Sequence, residues 1–560
     1  MQKLHCGDNQ RASALSASVD IRYDERKGRD LYATSDIPVG ALVLREFPYA
    51  HCVFDECAAH FCTHCLDPID DAESISCPLC SDKFIQFCSQ SCVNDATSTY
   101  HSRECEWLIP LLRSVGLNVH TIMLAVRVFN RTSIAVIVRE YECEQNGNQE
   151  DKSERTPPRI VTDEDRFCAI LSLCSDETAE SSNSDIDRDN NNSLCAKMVE
   201  PRLGDGDWSE TYSNKQRSHI MQTILLRIMC RLRRNRQGIW EQRDDMTKNA
   251  AQALTVVDQH KASAIYATEA LLNHSCDPNI YATFGRYGMI EVRAIRNIAA
   301  GESLQHCYGP KIGVERRDSR RALLLRDYFF ECECPACTSQ QRTLIEAEMD
   351  AYKCDKCTEL FIAGSATDND QNTKITKCPD CNMDRSMLES SVQSKIEQLK
   401  DALSATSIDD NHQPTSVDRV INCVRELSEL LHAHNEKLRD IKLTVVLWLS
   451  KNVKDASILS SVGMPLVRGY VATVKRHFGA HTLACAMALS KQSTIAWQCR
   501  QLQMYWLTVA TCLRIYTSHF GVQLVKQMFK SDSEIDRRFR QAIEYFVEGD
   551  SPDNDNDKVK

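Results

Sequence analysis

A nine-residue stretch, Leu-Leu-Asn-His-Ser-Cys-Asp-Pro-Asn at 271–279, brings three chemically capable side chains within four positions. Asn273 and His274 place hydrogen-bond donors and acceptors beside apolar residues, where unsatisfied polar groups would be costly. Cys276 stands two residues later as a candidate metal ligand, and the Asp277–Pro278 pair favours a turn. These residue types indicate a functional site; a polar loop in a globular core is the alternative.

The densest group of metal-binding residue types lies between residues 62 and 105. Short CxxC and CxxxC spacings let two thiolates reach one Zn²⁺ ion with tetrahedral geometry, so four pairs are enough for two zinc sites. Each structural zinc contributes roughly 10–16 kcal/mol of apparent binding free energy, enough to fold so small a core. The pairs are Cys62/Cys65, Cys77/Cys80, Cys88/Cys92 and His101/Cys105.

Two more cysteine groups follow the nine-residue stretch. The CxCxxC run of Cys332, Cys334 and Cys337 supplies three thiolates, one fewer than a structural zinc site requires. Further along, the spacing of two CxxC pairs is typical of a zinc ribbon. These pairs are Cys354/Cys357 and Cys378/Cys381.

The stretch at 271–279 resembles the signature of the SET domains of the SMYD family, which are S-adenosylmethionine-dependent protein lysine methyltransferases. The order of spacings over 62–105 resembles a MYND finger, and a finger inserted between two halves of a SET domain is the SMYD arrangement; a RING or PHD finger is the competing interpretation. The resemblance implies three shared ligand sets: Cys62, Cys65, Cys88 and Cys92 on one zinc; Cys77, Cys80, His101 and Cys105 on a second; and Cys276 with Cys332, Cys334 and Cys337 in a post-SET site.

The same resemblance implies roles for residues outside the zinc sites. Tyr308 would orient the lysine amine at the end of a channel, and Tyr328 would form a channel wall. Phe330 would stack on the adenine of the cofactor. The other residues implied to bind the cofactor, besides Tyr308, are Lys27, Gly28, Arg29, Asn235, Asn273 and His274. A turn without a ligand is the alternative at Gly28, and a solvated basic helix end is the alternative around Asn235.

Periodicity predicts the elements that position these residues. Short apolar runs between turn residues predict a β-meander over 20–53, and apolar residues at helical spacing predict helices over 107–140, around 220–232 and from 392 to about 547. Polarity without periodicity predicts disorder over 142–210, with a short ordered piece near Phe167–Leu173. The His-Phe-Gly sequence at 477–479 recurs at 519–521, which suggests a TPR-like helical array. Helices that only cover the SET cleft are the alternative.

Together these features predict an α+β fold: a β-rich SET domain split by a zinc-binding MYND finger, then a post-SET zinc site, a zinc ribbon and an α-helical TPR-like C-terminal domain. The predicted boundaries are 17–61 for the N-terminal part of the SET domain, 62–105 for the finger, 106–260 for a helical insertion containing the disordered 142–210, 261–330 for the C-terminal part of the SET domain, 331–340 for the post-SET segment, 350–385 for the ribbon, 390–548 for the helical domain and 549–560 for a disordered acidic tail.

Composition limits the possible partners and compartments. The 560 residues carry a formal net charge of −11, which argues against direct nucleic-acid binding and suits a basic peptide. Neither a secretory signal nor an apolar run of membrane-spanning length is apparent in the sequence. Twenty-eight cysteines therefore point to metal sites rather than disulfides. We expect a monomer of the cytoplasm and nucleus that does not bind membranes.

The sequence therefore predicts a protein-lysine N-methyltransferase that uses S-adenosylmethionine, binds two zinc ions in the finger, one in the post-SET site and one in the ribbon, and acts on a lysine-containing protein. A catalytically silent scaffold whose finger recruits proline-containing peptides is the rival. It is favoured by Asp30, Gln237 and Ser303, where the family usually has glycine, an aromatic residue and glutamate. A DNA-binding zinc protein is a third reading, but it would need a basic surface.

Overall fold

A computed structural model describes most of the chain and divides it into two units. The first unit comprises described residues within 1–242, 258–273 and 279–306, and the second those within 274–278 and 307–560. The described residues are 9, 11–69, 74–77, 79, 82, 84–105, 108–115, 119–145, 159–175, 195–204, 208, 212–241, 259–354, 356–357, 360–361, 378, 380–404, 415–528 and 540–543.

Short antiparallel sheets form the β-rich part of the first unit. Strands β1 and β2 form a hairpin in which Val19 pairs with Ala33 and Asp24 with Gly28. Strand β3 forms a sheet in the order β10-β11-β3, and β4 forms another in the order β4-β8-β7. The strands are β1 Val19–Asp24, β2 Gly28–Ala33, β3 Leu42–Glu46, β4 Ala50–Val53, β5 Ile75–Ser76, β6 Gln86–Phe87, β7 Gln237–Glu241, β8 Gln259–Ile265, β9 Asn273–His274, β10 Ile280–Phe284, β11 Ile290–Ala294 and β12 Gln305–His306.

Helices of the first unit bury an apolar face against these sheets and against one another. In the long helix α7, the residues at helical spacing from Ile220 to Leu232 are buried, as the sequence pattern predicts. No single helix of the described residues is long and apolar enough to cross a bilayer; by length and composition alone, the bent pair His120–Asn130 and Ile134–Gln145 would qualify. The helices are α1 Gln90–Ala96, α2 Ser102–Cys105, α3 Leu108–Val115, α4 Val119–Asn130, α5 Ile134–Gln145, α6 Asp163–Leu171 and α7 Asn214–Asn235.

The prediction of disorder over 142–210 excepted a short piece near Phe167–Leu173, and it is wrong beyond that piece: helix α6 begins at Asp163 and helix α5 extends to Gln145. Thr162 and Asp165 form a reciprocal capping box at the start of α6. Phe167 and Ile170 are fully buried in the core of the first unit, which agrees with the ordered piece predicted near Phe167–Leu173. Arg166 also lies 3.8 Å from the Glu46 carboxylate. The high overall polarity of the segment hid a short amphipathic helix.

Glu46, at the end of β3, fixes the turn that leads into Asn273. Its carboxylate accepts hydrogen bonds from the backbone N–H groups of Ala267, Thr268 and Glu269, at 3.1–3.2 Å. Burial raises the pKa of Glu46, and Arg166 and the three backbone donors oppose that shift. Burial and the nearby Glu46 charge raise the pKa of Glu269 to about 8. Two buried carboxyl groups, those of Glu46 and Glu269, therefore lie at the turn that precedes Asn273.

Glu269→Gln is expected to remove a pH-dependent loss of stability. Because the folded-state pKa of Glu269 is about 8 and the ordinary pKa of a glutamate is 4.5, the native state holds the proton that the unfolded state releases. The stabilisation is therefore complete below pH 4.5 and is lost as the pH rises through 8. The stability gained by the variant over wild type should grow by on the order of 2 kcal/mol between about pH 6.5 and about pH 9. Urea unfolding at the two pH values measures this difference, and a constant difference would contradict it.

The second unit is helical beyond its zinc clusters, and consecutive helices of its C-terminal region pack against one another. The predicted helical C-terminal region is thus confirmed. Its strands are β13 Tyr352–Lys353 and β14 Leu360–Phe361, and its helices are α8 Arg317–Tyr328, α9 Pro335–Thr338, α10 Gln340–Met349, α11 Arg385–Ser404, α12 Thr415–Leu430, α13 Glu436–Asn452, α14 Ala456–Ile458, α15 Met464–Phe478, α16 Leu483–Gln498 and α17 Leu502–Met528. The predicted tail at 549–560 lies outside the described residues.

The repeated His-Phe-Gly sequence has a similar local structure at both positions. His477 and His519 are buried, and burial lowers the pKa of His477 to about 3 and that of His519 to about 4. Gly479 ends α15 with φ +94°, and Gly521 interrupts α17 with φ +72°. A positive φ favours glycine, so the repeat marks the end of one helix and a break in another; the TPR-like array remains a prediction.

Candidate active site and zinc centres

Two clusters of metal-binding side chains form in the finger segment, with the interleaved order that the resemblance implies. In the first, Cys88 Sγ lies 3.5 Å from Cys65 Sγ and 3.6 Å from Cys92 Sγ. Four thiolates around one zinc, each with a Zn–S distance of about 2.3 Å, would be separated by about 3.8 Å. The clusters are Cys62, Cys65, Cys88 and Cys92, and Cys77, His101 and Cys105. Cys80, predicted to complete the second, lies outside the described residues.

A third cluster joins Cys276 to the CxCxxC run within the second unit. Cys276 Sγ lies 3.6 Å from Cys337 Sγ and 3.9 Å from Cys332 Sγ, and Cys334 completes the buried set. The fully buried Arg320 supports this cluster, because its Nη2 lies 3.7 Å from Cys337 Sγ and donates to the Ala336 carbonyl at 3.2 Å. Such outer contacts orient metal ligands. The donor set and the spacing both fit a tetrahedral zinc.

The ribbon pairs also meet in the second unit. Cys354 Sγ lies 3.3 Å from Cys381 Sγ, and Cys357 Sγ lies 3.4 Å from Cys378 Sγ. All four thiol sulfurs lie within 4.8 Å of one another. Two CxxC pairs that are distant in the sequence therefore offer one tetrahedral sulfur site.

Purified protein is expected to contain about four zinc ions per chain, one for each cluster. Elemental analysis after extensive dialysis against metal-free buffer measures this ratio. A value of two would limit zinc to the finger and would contradict metal binding at both the Cys276 cluster and the ribbon.

His274 connects the Cys276 cluster to Tyr308. Its Nδ1 accepts a hydrogen bond from the Tyr308 backbone N–H at 3.0 Å, so a neutral imidazole carries its proton on Nε2. Nε2 lies 3.3 Å from Cys276 Sγ and can donate to that sulfur. One side chain thus joins the fourth ligand of the cluster to the backbone of the candidate catalytic tyrosine.

Three aromatic residues of the second unit surround this connection. The Tyr328 hydroxyl donates to the Tyr308 carbonyl at 3.1 Å, and the two ring centroids are 4.9 Å apart. Phe330 lies 6.0 Å from His274 and 6.5 Å from Tyr308, the latter edge-to-face at 88°. The structure therefore brings together Tyr308 and Tyr328, which the resemblance assigns to the lysine channel, with Phe330 and His274, which it assigns to the cofactor. The rings of Tyr308, Tyr328 and Phe330 are half-buried and pack against the apolar cluster that contains Cys276.

In the first unit, the predicted cofactor residues gather at the β1–β2 turn. Gly28 has φ +75°, and no atom lies within 4 Å of where its Cβ would be, so the backbone there is open to a ligand. Lys27 is exposed beside it. Asn273 lies against the same strand and donates to the Arg29 carbonyl at 3.1 Å.

The segment that follows α6 is held by residues from two parts of the first unit, strand β2 and the end of helix α7. Arg29 donates to the Ser172 hydroxyl at 2.6 Å and to the Ser172 carbonyl at 2.5 Å. Asn235 donates to the Cys174 carbonyl at 3.1 Å and to Arg231 O at 2.8 Å. Arg29 and Asn235, predicted as cofactor contacts, therefore share the anchoring of this segment. Gln237, which follows Asn235, begins β7.

Asp30 is a buried polar residue that sequence reasoning treated only as a departure from the family. Its Oδ2 accepts a hydrogen bond from Ser303 Oγ at 2.6 Å, and its Oδ1 accepts one from Leu31 N–H at 2.9 Å. Burial raises the pKa of Asp30, while hydrogen bonds from Ser303, Leu31 and Asn273 and the charge of Lys27 act in the opposite direction. No sequence pattern could have paired Asp30 with Ser303.

Sequence reasoning also missed two residues that fix the finger and the 302–305 segment. Arg127 makes a bidentate ion pair with the buried Glu104, at 2.7 and 2.9 Å, one position before the ligand Cys105. Burial acts to raise the pKa of Glu104, but Arg127 holds it below its ordinary value. Asn279 donates to the Ser303 carbonyl and accepts from Gln305 N–H. Asn279 is the last residue of the nine-residue stretch, and this position was the only feature of the sequence that pointed to a role for it.

Comparison with known proteins identifies a SET domain and several related methyltransferases. A SET domain family model matches residues 28–309, just over half of the 560 residues. The chain is 24% identical over 513 residues to Protein-lysine N-methyltransferase SMYD4 of Mus musculus, covering 78% of this chain and 59% of that protein. The chain is also 24% identical over 510 residues to SMYD4 of Homo sapiens, covering 78% of this chain and 60% of that protein. It is 39% identical over 92 residues to N-lysine methyltransferase SMYD2 of Homo sapiens, covering 16% of this chain and 20% of that protein.

The chain thus spans about three fifths of the length of the SMYD4 proteins that it matches. The match to the SET model begins at Gly28, directly after the β1–β2 turn, and covers the finger, the nine-residue stretch and Tyr308. The chain therefore belongs to the SET domain family and, within it, to the SMYD group.

Proposed function

We propose that the chain is an S-adenosylmethionine-dependent protein-lysine N-methyltransferase that acts on lysine side chains of histone or non-histone proteins. The observation that carries the proposal is the aromatic group of Tyr308, Tyr328 and Phe330, held through His274 to the Cys276 cluster. The names of the SMYD4, SMYD2 and SMYD3 relatives support the same reaction class.

The residues of the chain fit the cofactor by their chemistry. Phe330 offers a ring face for an adenine in the second unit, and the open backbone at Gly28 and the amide of Asn273 offer polar partners for an amino acid in the first. Lys27 adds a positive charge for a carboxylate. Bound S-adenosylmethionine would supply an activated methyl group.

The tyrosines have the task of preparing the lysine amine. A lysine ammonium has an ordinary pKa of about 10.4, so removing its proton at neutral pH costs roughly 4–5 kcal/mol. Apolar rings lower that pKa by excluding water. We assign to the Tyr308 hydroxyl the orientation of the neutral amine. Tyr328 holds Tyr308 in place, because its own hydroxyl donates to the Tyr308 carbonyl.

The zinc clusters and the charge of the chain complete the proposal. Zinc at the Cys276 cluster would fix the segment that carries His274, and zinc in the finger would support a surface for proline-containing peptides. The net charge of −11 favours a lysine-rich substrate segment. We further propose that the protein works as a monomer in the cytoplasm and nucleus.

Two measurements on the purified chain test the proposal. Calorimetry with S-adenosylmethionine measures cofactor binding, and transfer of labelled methyl groups to a pool of basic proteins, with lysine identified as the acceptor, measures activity. Binding followed by lysine methylation is the expected result. Binding of proline-containing peptides without cofactor binding or transfer would favour the scaffold instead.

A further inference from the structure

The first copy of the His-Phe-Gly repeat, at 477–479, contacts the segment that follows Tyr308. The buried ring of Phe478 lies directly on the backbone of Gly313. A Cβ at Gly313 would lie 2.6–2.9 Å from three atoms of that ring, closer than nonbonded carbon atoms approach. Gly313 also has φ +80°, a conformation that favours glycine. The end of helix α15 and this turn therefore fit closely, a few residues after Tyr308.

The segment from Tyr308 to Gly313 is tied twice to the stretch that carries Cys276. The Tyr308 N–H donates to His274 Nδ1 at 3.0 Å, and the Ile312 N–H donates to the Cys276 carbonyl at 3.1 Å. Ile312 is buried in the apolar cluster that contains Cys276, and Tyr308 packs against that cluster. Because Gly313 directly follows Ile312, a displacement of Gly313 would loosen the second of these ties.

The end of α15 is also fastened to the Cys276 cluster through charged side chains. Arg342 donates to the carbonyl of His477, one of the last carbonyls of the helix. Arg342 Nε lies 3.5 Å from Glu346 Oε1, and the same oxygen accepts a hydrogen bond from Arg320 Nη1 at 2.6 Å. Arg320 Nη2 lies 3.7 Å from Cys337 Sγ. The helix end that carries the ring is therefore fixed against this cluster.

We propose that Phe478 is a positioning residue for methyl transfer: its ring holds Gly313 and, through Ile312, fixes the backbone of Tyr308. The inference rests on the proposed function. Close-packed interiors transmit small displacements rather than absorbing them, and the rate of a reaction is sensitive to the placement of the reacting groups. The C-terminal helices thereby take part in methyl transfer through one residue of the repeat, beyond any role as a cover.

Phe478→Leu tests the proposal, because leucine stays apolar but lacks the ring face that covers Gly313. Single-turnover transfer of labelled methyl groups to the pool of basic proteins, at saturating S-adenosylmethionine, should slow roughly tenfold. The calorimetric Kd for S-adenosylmethionine should change by less than about twofold, since the lost contact acts on the orientation of Tyr308 in the transition state. The zinc content should equal that of wild type.

Phe520→Leu is the matched control, because Phe520 is the corresponding residue of the second copy of the repeat. Its ring is also buried, and it stacks on Tyr516 of the same helix at 6.2 Å. Loss of either ring leaves a cavity, so both variants should lower the Tm by a similar few degrees. Only Phe478→Leu should slow methyl transfer, which separates positioning from a general loss of stability.

Gly313→Ala disturbs the same contact from the other side, since its new Cβ must displace the ring. It should also slow transfer roughly tenfold. In the double variant the smaller leucine at 478 leaves room for that Cβ, so the rate should lie within about twofold of the slower single variant. Independent effects would instead multiply to roughly a hundredfold. Gly313→Ala also keeps the test decisive if Phe478→Leu does not fold.

Slower transfer in Phe478→Leu and Gly313→Ala that is not multiplied in the double variant, together with the wild-type rate in Phe520→Leu, supports the inference. Equal slowing by Phe478→Leu and Phe520→Leu would overturn it, as would a wild-type rate in Phe478→Leu, multiplied effects, or a loss of cofactor affinity that accounts for the slower rate. In each of these cases active wild-type protein would still uphold the proposed function. Wild-type protein that neither binds S-adenosylmethionine nor methylates lysine would instead refute the proposed function, and the inference with it.

Discussion

Replacing Cys276 by serine is expected to remove one zinc ion per chain and to slow methyl transfer by about a hundredfold or more. Zinc binding at a structural site is worth roughly 10–16 kcal/mol, and a hydroxyl is a poor substitute for the thiolate that completes the tetrahedron. The effect should reach the reaction because His274 Nε2 contacts Cys276 Sγ while its Nδ1 holds the Tyr308 backbone. A displacement of about 1 Å at reacting groups can cost about a hundredfold in rate.

Zinc content by elemental analysis and labelled methyl transfer measure the two effects in the same preparation. Cys499→Ser is the matched control, because Cys499 is a half-buried cysteine of the second unit that belongs to none of the cysteine clusters. It should keep both the zinc and the activity of wild type. If Cys276→Ser keeps its full zinc content, the cluster is not a metal site. If the variant loses zinc but transfers methyl groups normally, His274 does not couple the Cys276 cluster to methyl transfer.

The cysteine clusters could be predicted because the spacings that define each pair of ligands are local in the sequence. A CxxC or CxxxC spacing already places two sulfurs on one side of a turn. The interleaved order over 62–105 and the completion of the CxCxxC run by Cys276 came from resemblance, and the described cysteines and His101 lie grouped in that way. Metal binding by these groups remains a prediction. The aromatic residues Tyr308, Tyr328 and Phe330 were also assigned in this way, and they do lie together. Their roles in catalysis remain predictions.

The contacts that could not be predicted join residues far apart in the sequence. Arg29 reaches Ser172 over 143 positions, and Asp30 reaches Ser303 over 273. A burial pattern shows that a side chain is inside, but it does not identify the partner that makes a buried carboxylate tolerable. Helix α6 was predicted only in part for a different reason: its nine residues lie within a long polar stretch, from which its capping box and four buried side chains distinguish it.

Tyr308→Phe is expected to slow methyl transfer roughly ten- to a hundredfold and to leave the Kd for S-adenosylmethionine nearly unchanged. The substitution removes one hydroxyl and keeps the ring, so the packing at 4.9 Å from Tyr328 and 5.2 Å from His274 is retained. The two backbone hydrogen bonds of residue 308, to His274 and from Tyr328, do not involve the lost atom. A hydrogen bond to a charged group is worth about 1.5–3 kcal/mol, which corresponds to this loss of rate if it acts mainly in the transition state.

Tyr328→Phe and His274→Ala separate this effect from its alternatives. The Tyr328 hydroxyl is engaged by the Tyr308 carbonyl, so its loss should cost about 1 kcal/mol, only a few-fold in rate. His274→Ala should instead raise the Kd for the cofactor. Single-turnover transfer at saturating cofactor, together with calorimetric Kd values, distinguishes the three variants. If Tyr308→Phe were no slower than Tyr328→Phe, the Tyr308 hydroxyl would not act on the amine, and the residue would serve only to pack the aromatic group.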